Sequence, residues 1–263
     1  MLKSLGPASI AGILLVASSC QASGTNVVTE DVVRQIPFLD GEVATYELTD
    51  DDGNSEGSGT LAVAEPDSRH LLAQDFADEE GNVDCWRVIA DDNLKPIGVN
   101  RRIVRIDDGE PDEVTIRGVY GDGFAESVFA SGDESRSEEG NVPQHAYDSL
   151  TEVFLVRTLD FEEGLQVAYN SVFVARPDGR DIATDPVIFE VEGRETIEVP
   201  FGEFETWRIG IRGGFGADRT AWVSVDEPYF LVRFDFGFLL YELESFGMNG
   251  GIDNTCPGAD EGS

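Results

Sequence analysis

Apolar and polar residues alternate in steps of two along most of this chain, and turn residues interrupt the alternation at roughly every 8 to 12 positions. That period belongs to strands whose two faces meet different surroundings. Tyr46 and Leu48 alternate with Thr45 and Glu47, and the run DDDGNSEGSG then leads back into the apolar stretch 60–63, a hairpin signal. Further strands are expected at about 69–78, 83–90, 97–107, 113–120 and 123–130, separated by ADEEGN, ADDNLKP, DDGEPD and GDG. These turns carry Asp, Gly and Pro, which supply local hydrogen bonds, positive φ and a fixed φ respectively. The acidic stretch 131–141 (SGDESRSEEGN) reads as a loop. Strands resume at about 165–176, 187–191, 194–200, 204–212, 219–226, 229–236 and 238–246. Trp207, Ile209 and Ile211 share one strand face, and strict alternation gives Phe230, Val232, Phe234 and Phe236 another.

One segment breaks the two-residue period. Tyr147, Leu150, Val153, Phe154 and Leu155 recur at helical steps after Pro143, which predicts a single helix near 143–159. The fold class expected is therefore all-β: a large antiparallel meander forming one strongly curved sheet or open barrel, with the helix at its mouth or on its concave face. The domain is expected to span 36–248, beginning at Ile36-Pro37-Phe38 and followed by a flexible tail over 249–263.

The N-terminus has a different logic. Lys3, the apolar run IAGILLVA (10–17) and the small residues Ala17-Ser18-Ser19 before Cys20 read as a secretory signal peptide over 1–19. Small residues directly before a cysteine resemble the lipobox of bacterial lipoproteins. That resemblance implies that Cys20 is acylated after cleavage, with 20–35 as a tether between membrane and domain. An ordinary signal peptide that ends near a cysteine is the alternative. No second apolar run approaches the roughly 18 residues of a spanning helix. Once Cys20 is lipidated, Cys85 and Cys256 remain as a pair in an oxidising compartment, where a disulfide would fasten the tail; two unpaired thiols are the other reading.

Charge narrows the partners. With 52 acidic against 18 basic residues the chain carries a formal −34, which excludes nucleic acid, whose binding draws on basic residues. Lysine is confined to Lys3 and Lys95. Dispersed acids with little lysine resemble the composition of proteins from salt-loving organisms, so stability that rises with salt is expected. The 16 Phe, 6 Tyr and 3 Trp provide a core that a disordered acidic chain would lack.

Several stretches together resemble one family. These are PFLDGEVATYELT (37–49), YDSLTEVFLVRTLDFEEG (147–164), VEGRETIEVPFGEFETWRIGI (191–211) and TAWVSVDEPYFLVRFDF (220–236). In order and spacing they resemble the exported bacterial domains of unknown function 3108 (DUF3108). The resemblance implies an exported, mainly antiparallel β domain and brings no catalytic residues with it.

Candidate chemistry is sparse. Gly53-Asn54-Ser55-Glu56-Gly57 matches G-x-S-x-G, but no apolar strand precedes it and no helix pattern follows, so it reads as a hairpin turn. Asp50, Asp52 and Asn54 resemble part of a calcium loop that lacks its glycine and closing glutamate, leaving them weak calcium candidates. His70 and His145 have no spacing that completes a zinc set or a catalytic triad. Trp86, Trp207 and Trp222 are either core or a sugar platform. No catalytic residue, metal or cofactor is assigned. The function expected is that of a non-enzymatic cell-envelope lipoprotein, facing the periplasm or the cell surface and held to the membrane by N-terminal acyl chains. It would bind an apolar or amphiphilic ligand in the curved sheet, lined by the 207–211 and 230–236 sets, or act as a scaffold for another envelope protein. The alternative is a secreted hydrolase or carbohydrate-active protein that uses its carboxylates and tryptophans.

Overall fold

A computed structural model describes residues 29–248, apart from 108, 179, 180, 215 and 217, together with 252 and 256. The signal peptide, Cys20 and most of the 249–263 tail lie outside the described residues. Fifteen strands form one sheet. They are β1 (Glu42–Thr49), β2 (Ser55–Ala64), β3 (His70–Ala77), β4 (Val83–Ala90), β5 (Pro96–Asp107), β6 (Glu110–Tyr120), β7 (Phe124–Ser131) and β8 (Glu134–Asn141). Then come β9 (Ala146–Asp148), β10 (Gln166–Phe173), β11 (Ala183–Val199), β12 (Gly202–Gly213), β13 (Arg219–Ser224), β14 (Leu231–Asp235) and β15 (Leu240–Met248). The spatial order is β8-β7-β6-β5-β4-β3-β2-β1-β15-β14-β13-β12-β11-β10-β9. Every neighbour pair is antiparallel except β9 with β10.

This order fixes the shape. Strands β8 and β9 stand at opposite edges, yet only residues 142–145 join them. Five Cα steps span at most about 18 Å, so the sheet must curl until its edges nearly meet. It stays an open barrel with a seam. Side chains reach across that seam: the Tyr120 hydroxyl on β6 donates to Asp148 Oδ2 on β9 at 2.5 Å, and Arg136 on β8 donates to the Asp178 carbonyl.

The expected helix is shorter than its pattern. Residues 146–148 are strand β9, followed by a 3₁₀ turn (Ser149–Thr151), the four-residue helix α1 (Glu152–Leu155) and a second 3₁₀ turn (Val156–Thr158). Pro143 does not open it, and His145, assigned to a first helical turn, holds φ +54° in left-handed backbone that no helix continues. Asp148 starts the helical segment, its carboxylate accepting from the Leu150 N–H at 2.8 Å. From Val153 to Leu159 the segment is buried on every side, because it plugs the concave face. There Phe154 meets Phe38 and Trp86 edge-on.

Two arginine–carboxylate pairs fasten this plug to the sheet. Arg157 donates to both oxygens of Glu42 on β1, at 2.5 and 3.3 Å, and to the carbonyls of Pro228 and Tyr229. Glu152 receives Arg219 of β13 at 2.7 and 3.1 Å. Burial raises the Glu152 carboxyl above its ordinary range, against the pull of Arg219.

Other differences have physical causes. The loop expected over 131–141 contains β8, which pairs with β7 from Ser131↔Glu134 to Phe124↔Asn141. Both of its faces are largely exposed, so no alternation marks it. The strands expected at 187–191 and 194–200 are one, β11, with a bulge between Val191 and Gly193. The tether expected over 20–35 is docked along its described part, 29–35. Val32 is fully buried, the Glu30 N–H bonds the Ala168 carbonyl, and Asp31 pairs with Lys95 at 2.5 Å. Cys85 and Cys256 form a disulfide with Cα atoms 5.7 Å apart. Trp86 faces the concave side, so its neighbour Cys85 points outward, and the bond holds Cys256 at the convex face.

Candidate ligand cavity

Alternation places one face of β3, β4 and β5 inside the curl. In register, Phe76 stands opposite Asp84, Gln74 opposite Trp86, Asp84 opposite Ile103 and Trp86 opposite Arg101. Two residues beyond Ile103 on the same face is Arg105. Of these, Gln74, Phe76, Asp84, Trp86, Arg101 and Arg105 floor a cavity of about 420 Å³. Its other walls are Ser149, Leu150, Glu152 and Val153 of the plug, Tyr241 of β15, and Phe236, Phe238 and Leu239 from the β14–β15 turn. Phe238 is 67% exposed at the rim.

The polar groups of this wall are mostly engaged. Arg101 grips Asp84 through two bonds of 2.9 and 2.6 Å and donates to the Ala175 carbonyl. Glu152 is held by Arg219, and Gln74 donates to the Tyr241 hydroxyl at 2.9 Å. Burial pushes the Tyr241 phenol above its usual range, with the Asp84 charge adding to the effect. The Ser149 hydroxyl has no hydrogen-bond partner among the described residues. Arg105 is exposed and has no acidic partner among the described residues, although Asp112 stands opposite it on β6.

Behind the wall, burial lifts the Asp148 carboxyl to about 6, while the Tyr120 hydroxyl, the Leu150 N–H and Arg101 pull it down. Perturbed carboxyls cluster at functional sites. Asp148 nevertheless caps the plug and bridges the seam, and it does not line the cavity.

Of the ligand-lining set expected from alternation, only Phe236 lines the cavity. Trp207, Ile209, Ile211, Val232 and Phe234 are buried in filled core. Phe230 packs against Phe246 with ring centroids 4.2 Å apart. Those faces are packed against the core, Trp207 by Phe161, and are not open. A register shift between Trp222 and Val223 also sets Leu231 opposite Val223, which breaks the strict 230–236 alternation. The cavity strands carry a weaker signal, since Asp84, Arg101 and Arg105 put charge on the inward face.

The remaining candidates are structural in geometry. Asp50 Oδ1 accepts from the N–H groups of Asp52 and Asn54, and Oδ2 from the Asn54 amide; the bond from the Asn54 side chain leads in holding this carboxyl below its ordinary value. Its oxygens are occupied in closing the β1–β2 turn. No group of three or more His, Cys, Asp or Glu able to hold a metal occurs among the described residues. Ser55 of the G-x-S-x-G stretch begins β2 in an antiparallel hairpin. His70 is buried edge-on to Phe38, and His145 Nδ1 lies 3.1 Å from Asp31. Trp207 stacks on Phe161, whereas Trp222 is opposite Arg208 and so lies on the other face. The three tryptophans form no common platform.

Fold and cavity define a class: a curled, open antiparallel sheet with an internal plug and one apolar-walled pocket beside it. Residues 88–240 match the family described as "Protein of unknown function (DUF3108)", and the chain belongs to that family. No curated protein matches the chain. Among solved structures it is similar to a candidate exported protein with a YmcC-like fold from Bacteroides fragilis, at 11% identity and a TM-score of 0.31. It is also similar to a candidate lipoprotein from Parabacteroides distasonis, at 12% identity and a TM-score of 0.28. Each comparison covers 83% of this chain and all of the other.

Proposed function

We propose that this chain is a non-enzymatic, exported lipoprotein of the cell envelope that holds an apolar or amphiphilic ligand in the cavity under the plug. The observation that carries the reading is the cavity itself. Its volume of about 420 Å³ falls within the roughly 300–1,000 Å³ of small-molecule pockets, and Phe76, Trp86, Leu150, Val153, Phe236, Phe238, Leu239 and Tyr241 supply apolar wall. A hydrolase would draw on carboxylates free to exchange protons. Asp84 and Glu152, the two in this wall, are each tied to an arginine. Export is supported by the N-terminal sequence and by the disulfide, a bond that persists in oxidising compartments.

The test is saturable binding of the neutral dye N-phenyl-1-naphthylamine to the exported full chain carrying Cys20→Ala, purified without detergent. Leu239→Glu, which puts a charge on the half-buried rim of the wall, should weaken binding at least tenfold in a variant with wild-type circular dichroism. Absence of saturable binding, or binding indifferent to Leu239→Glu, removes the cavity reading and leaves a scaffold. For the anchor, the wild type should partition with membranes and Cys20→Ala should not. A cleaved Cys20→Ala form retained in the membrane would disprove acylation.

A further inference from the structure

We infer that the cavity's ligand is a single-chain anionic amphiphile, with a carboxylate or phosphate head at Arg105 and an alkyl tail against Trp86, Val153 and Leu239. This rests on the cavity reading above and names the ligand class. The argument is one of charge in an unexpected place. The protein carries −34 overall, and most of its described arginines are spent on carboxylates, as in the pairs of Arg87, Arg101, Arg102, Arg157, Arg212 and Arg219. Arg105 pairs with none among the described residues, despite the excess of acid in the chain.

The charges at the cavity wall are Arg101 and Arg105 against Asp84 and Glu152. Asp84 is neutralised by Arg101, and Glu152 by Arg219 from behind. The uncompensated charge left at the wall is the Arg105 guanidinium. It projects from the inward face at the exposed end of β5, beyond the last residue of β4 that pairs there, Val83 with Val104. A guanidinium presents paired donors that match a carboxylate or phosphate, and the apolar wall beside it excludes water from the rest of the ligand. The volume sits toward the small end of ligand pockets, which suits one chain rather than the two of a bilayer phospholipid. Arg105 also discriminates by sign. A cationic amphiphile would be repelled, and a neutral one would leave the guanidinium no better paired than in water.

The experiment displaces the bound naphthylamine dye from the Cys20→Ala chain with four sixteen-carbon competitors: palmitate, hexadecyl phosphate, hexadecanol and hexadecyltrimethylammonium, each below its aggregation threshold. Palmitate and hexadecyl phosphate should each displace the dye at concentrations about tenfold lower than hexadecanol, the ratio expected of one charge-assisted contact. The ammonium should be the weakest. In Arg105→Gln the anion preference, read as the ratio of palmitate to hexadecanol displacement within the same variant, should collapse toward unity, and Arg105→Lys should restore part of it. Because Arg105 is exposed, the preference should also shrink as salt rises. Equal displacement by palmitate and hexadecanol, or an anion preference that survives Arg105→Gln, overturns the inference although the dye still binds. Failure of the dye to bind at all strikes the cavity reading instead, so the two are told apart. A preference confined to one of the two anions identifies which head the site takes.

Discussion

Replacing Arg157 by methionine should be among the most damaging single changes this protein can suffer. The Arg157 and Glu42 side chains are 6% and 3% exposed, and the guanidinium serves four acceptors: two Glu42 oxygens and the carbonyls of Pro228 and Tyr229. It also lies 4.9 Å from the centre of the Phe38 ring. Methionine fills much of the stem's volume but leaves Glu42 buried with only the Leu39 N–H as a donor among the described residues. Breaking a buried pair from one side costs about 3–5 kcal/mol, because an uncompensated charge remains. Two carbonyls orphaned as well put Arg157→Met at the upper end. Glu42→Gln should cost less, about 2 kcal/mol, since its amide oxygen still accepts from Arg157. The double variant Glu42→Leu/Arg157→Met buries no charge and should recover a large part of the Arg157→Met loss. Urea unfolding followed by tryptophan fluorescence measures the wild type, these three variants and the single Glu42→Leu that closes the cycle, provided the slope with denaturant is unchanged. A loss below about 1 kcal/mol for Arg157→Met, or a double variant showing the sum of its single losses, would refute the claim that this pair locks the plug to β1.

Asp148 predicts a pH effect of known sign. Its folded carboxyl titrates at about 6 against 3.8 when unfolded, so its contribution is fully present below 3.8 and is lost as pH rises towards 6, by about 3 kcal/mol. The stability of Asp148→Asn relative to wild type should therefore improve between pH 4 and 7, and a pH-independent difference would disprove it. Cys85→Ser opens a bridge with a sequence separation of 171, for which loop entropy gives an upper value of about 5 kcal/mol; a melting temperature equal to wild type would show that the tail contributes nothing. The melting temperature should climb from low salt towards molar sodium chloride, because a formal −34 is self-repelling until screened. A flat curve would mean that the arginine pairs already compensate the acids locally.

The strands were legible wherever one face is buried. The run 83–90 coincides with β4, and 97–107 differs from β5 by one residue, because turn chemistry and period two agree there. Strand β8 was hidden because little buries either face, so its existence rests on backbone pairing that no side-chain pattern reports. The helical period of 147–155 was real but ambiguous. It marks apolar residues that are buried all round, and the left-handed His145 and the Asp148 cap cut the helix to one turn. The cavity lies on other strands than the expected lining for a related reason. The most regular apolar faces, 207–211 and 230–236, are regular because they fill completely. The open space lies where charge interrupts the pattern, at Asp84, Arg101 and Arg105. The 29–35 segment looked like linker from its polarity, while Val32 and the pairing of Asp31 with Lys95 hold it down.

The seam left by the unclosed curl has a consequence for how these molecules meet one another. An open sheet ends in unpaired backbone donors and acceptors, and such an edge can recruit a strand from another chain and grow into a polymer. One edge is β9, three residues long and buried, which offers almost nothing to recruit with. The other is β8, eight residues of ESRSEEGN, long enough to be a hazard. Its safeguard is its sequence: three glutamates, Glu134, Glu138 and Glu139, stand against a single arginine, with no apolar side chain among them. A second copy docking edge to edge would set acid against acid. The acidity that disguises β8 as a loop thus also works against the assembly of an incompletely closed barrel into fibres.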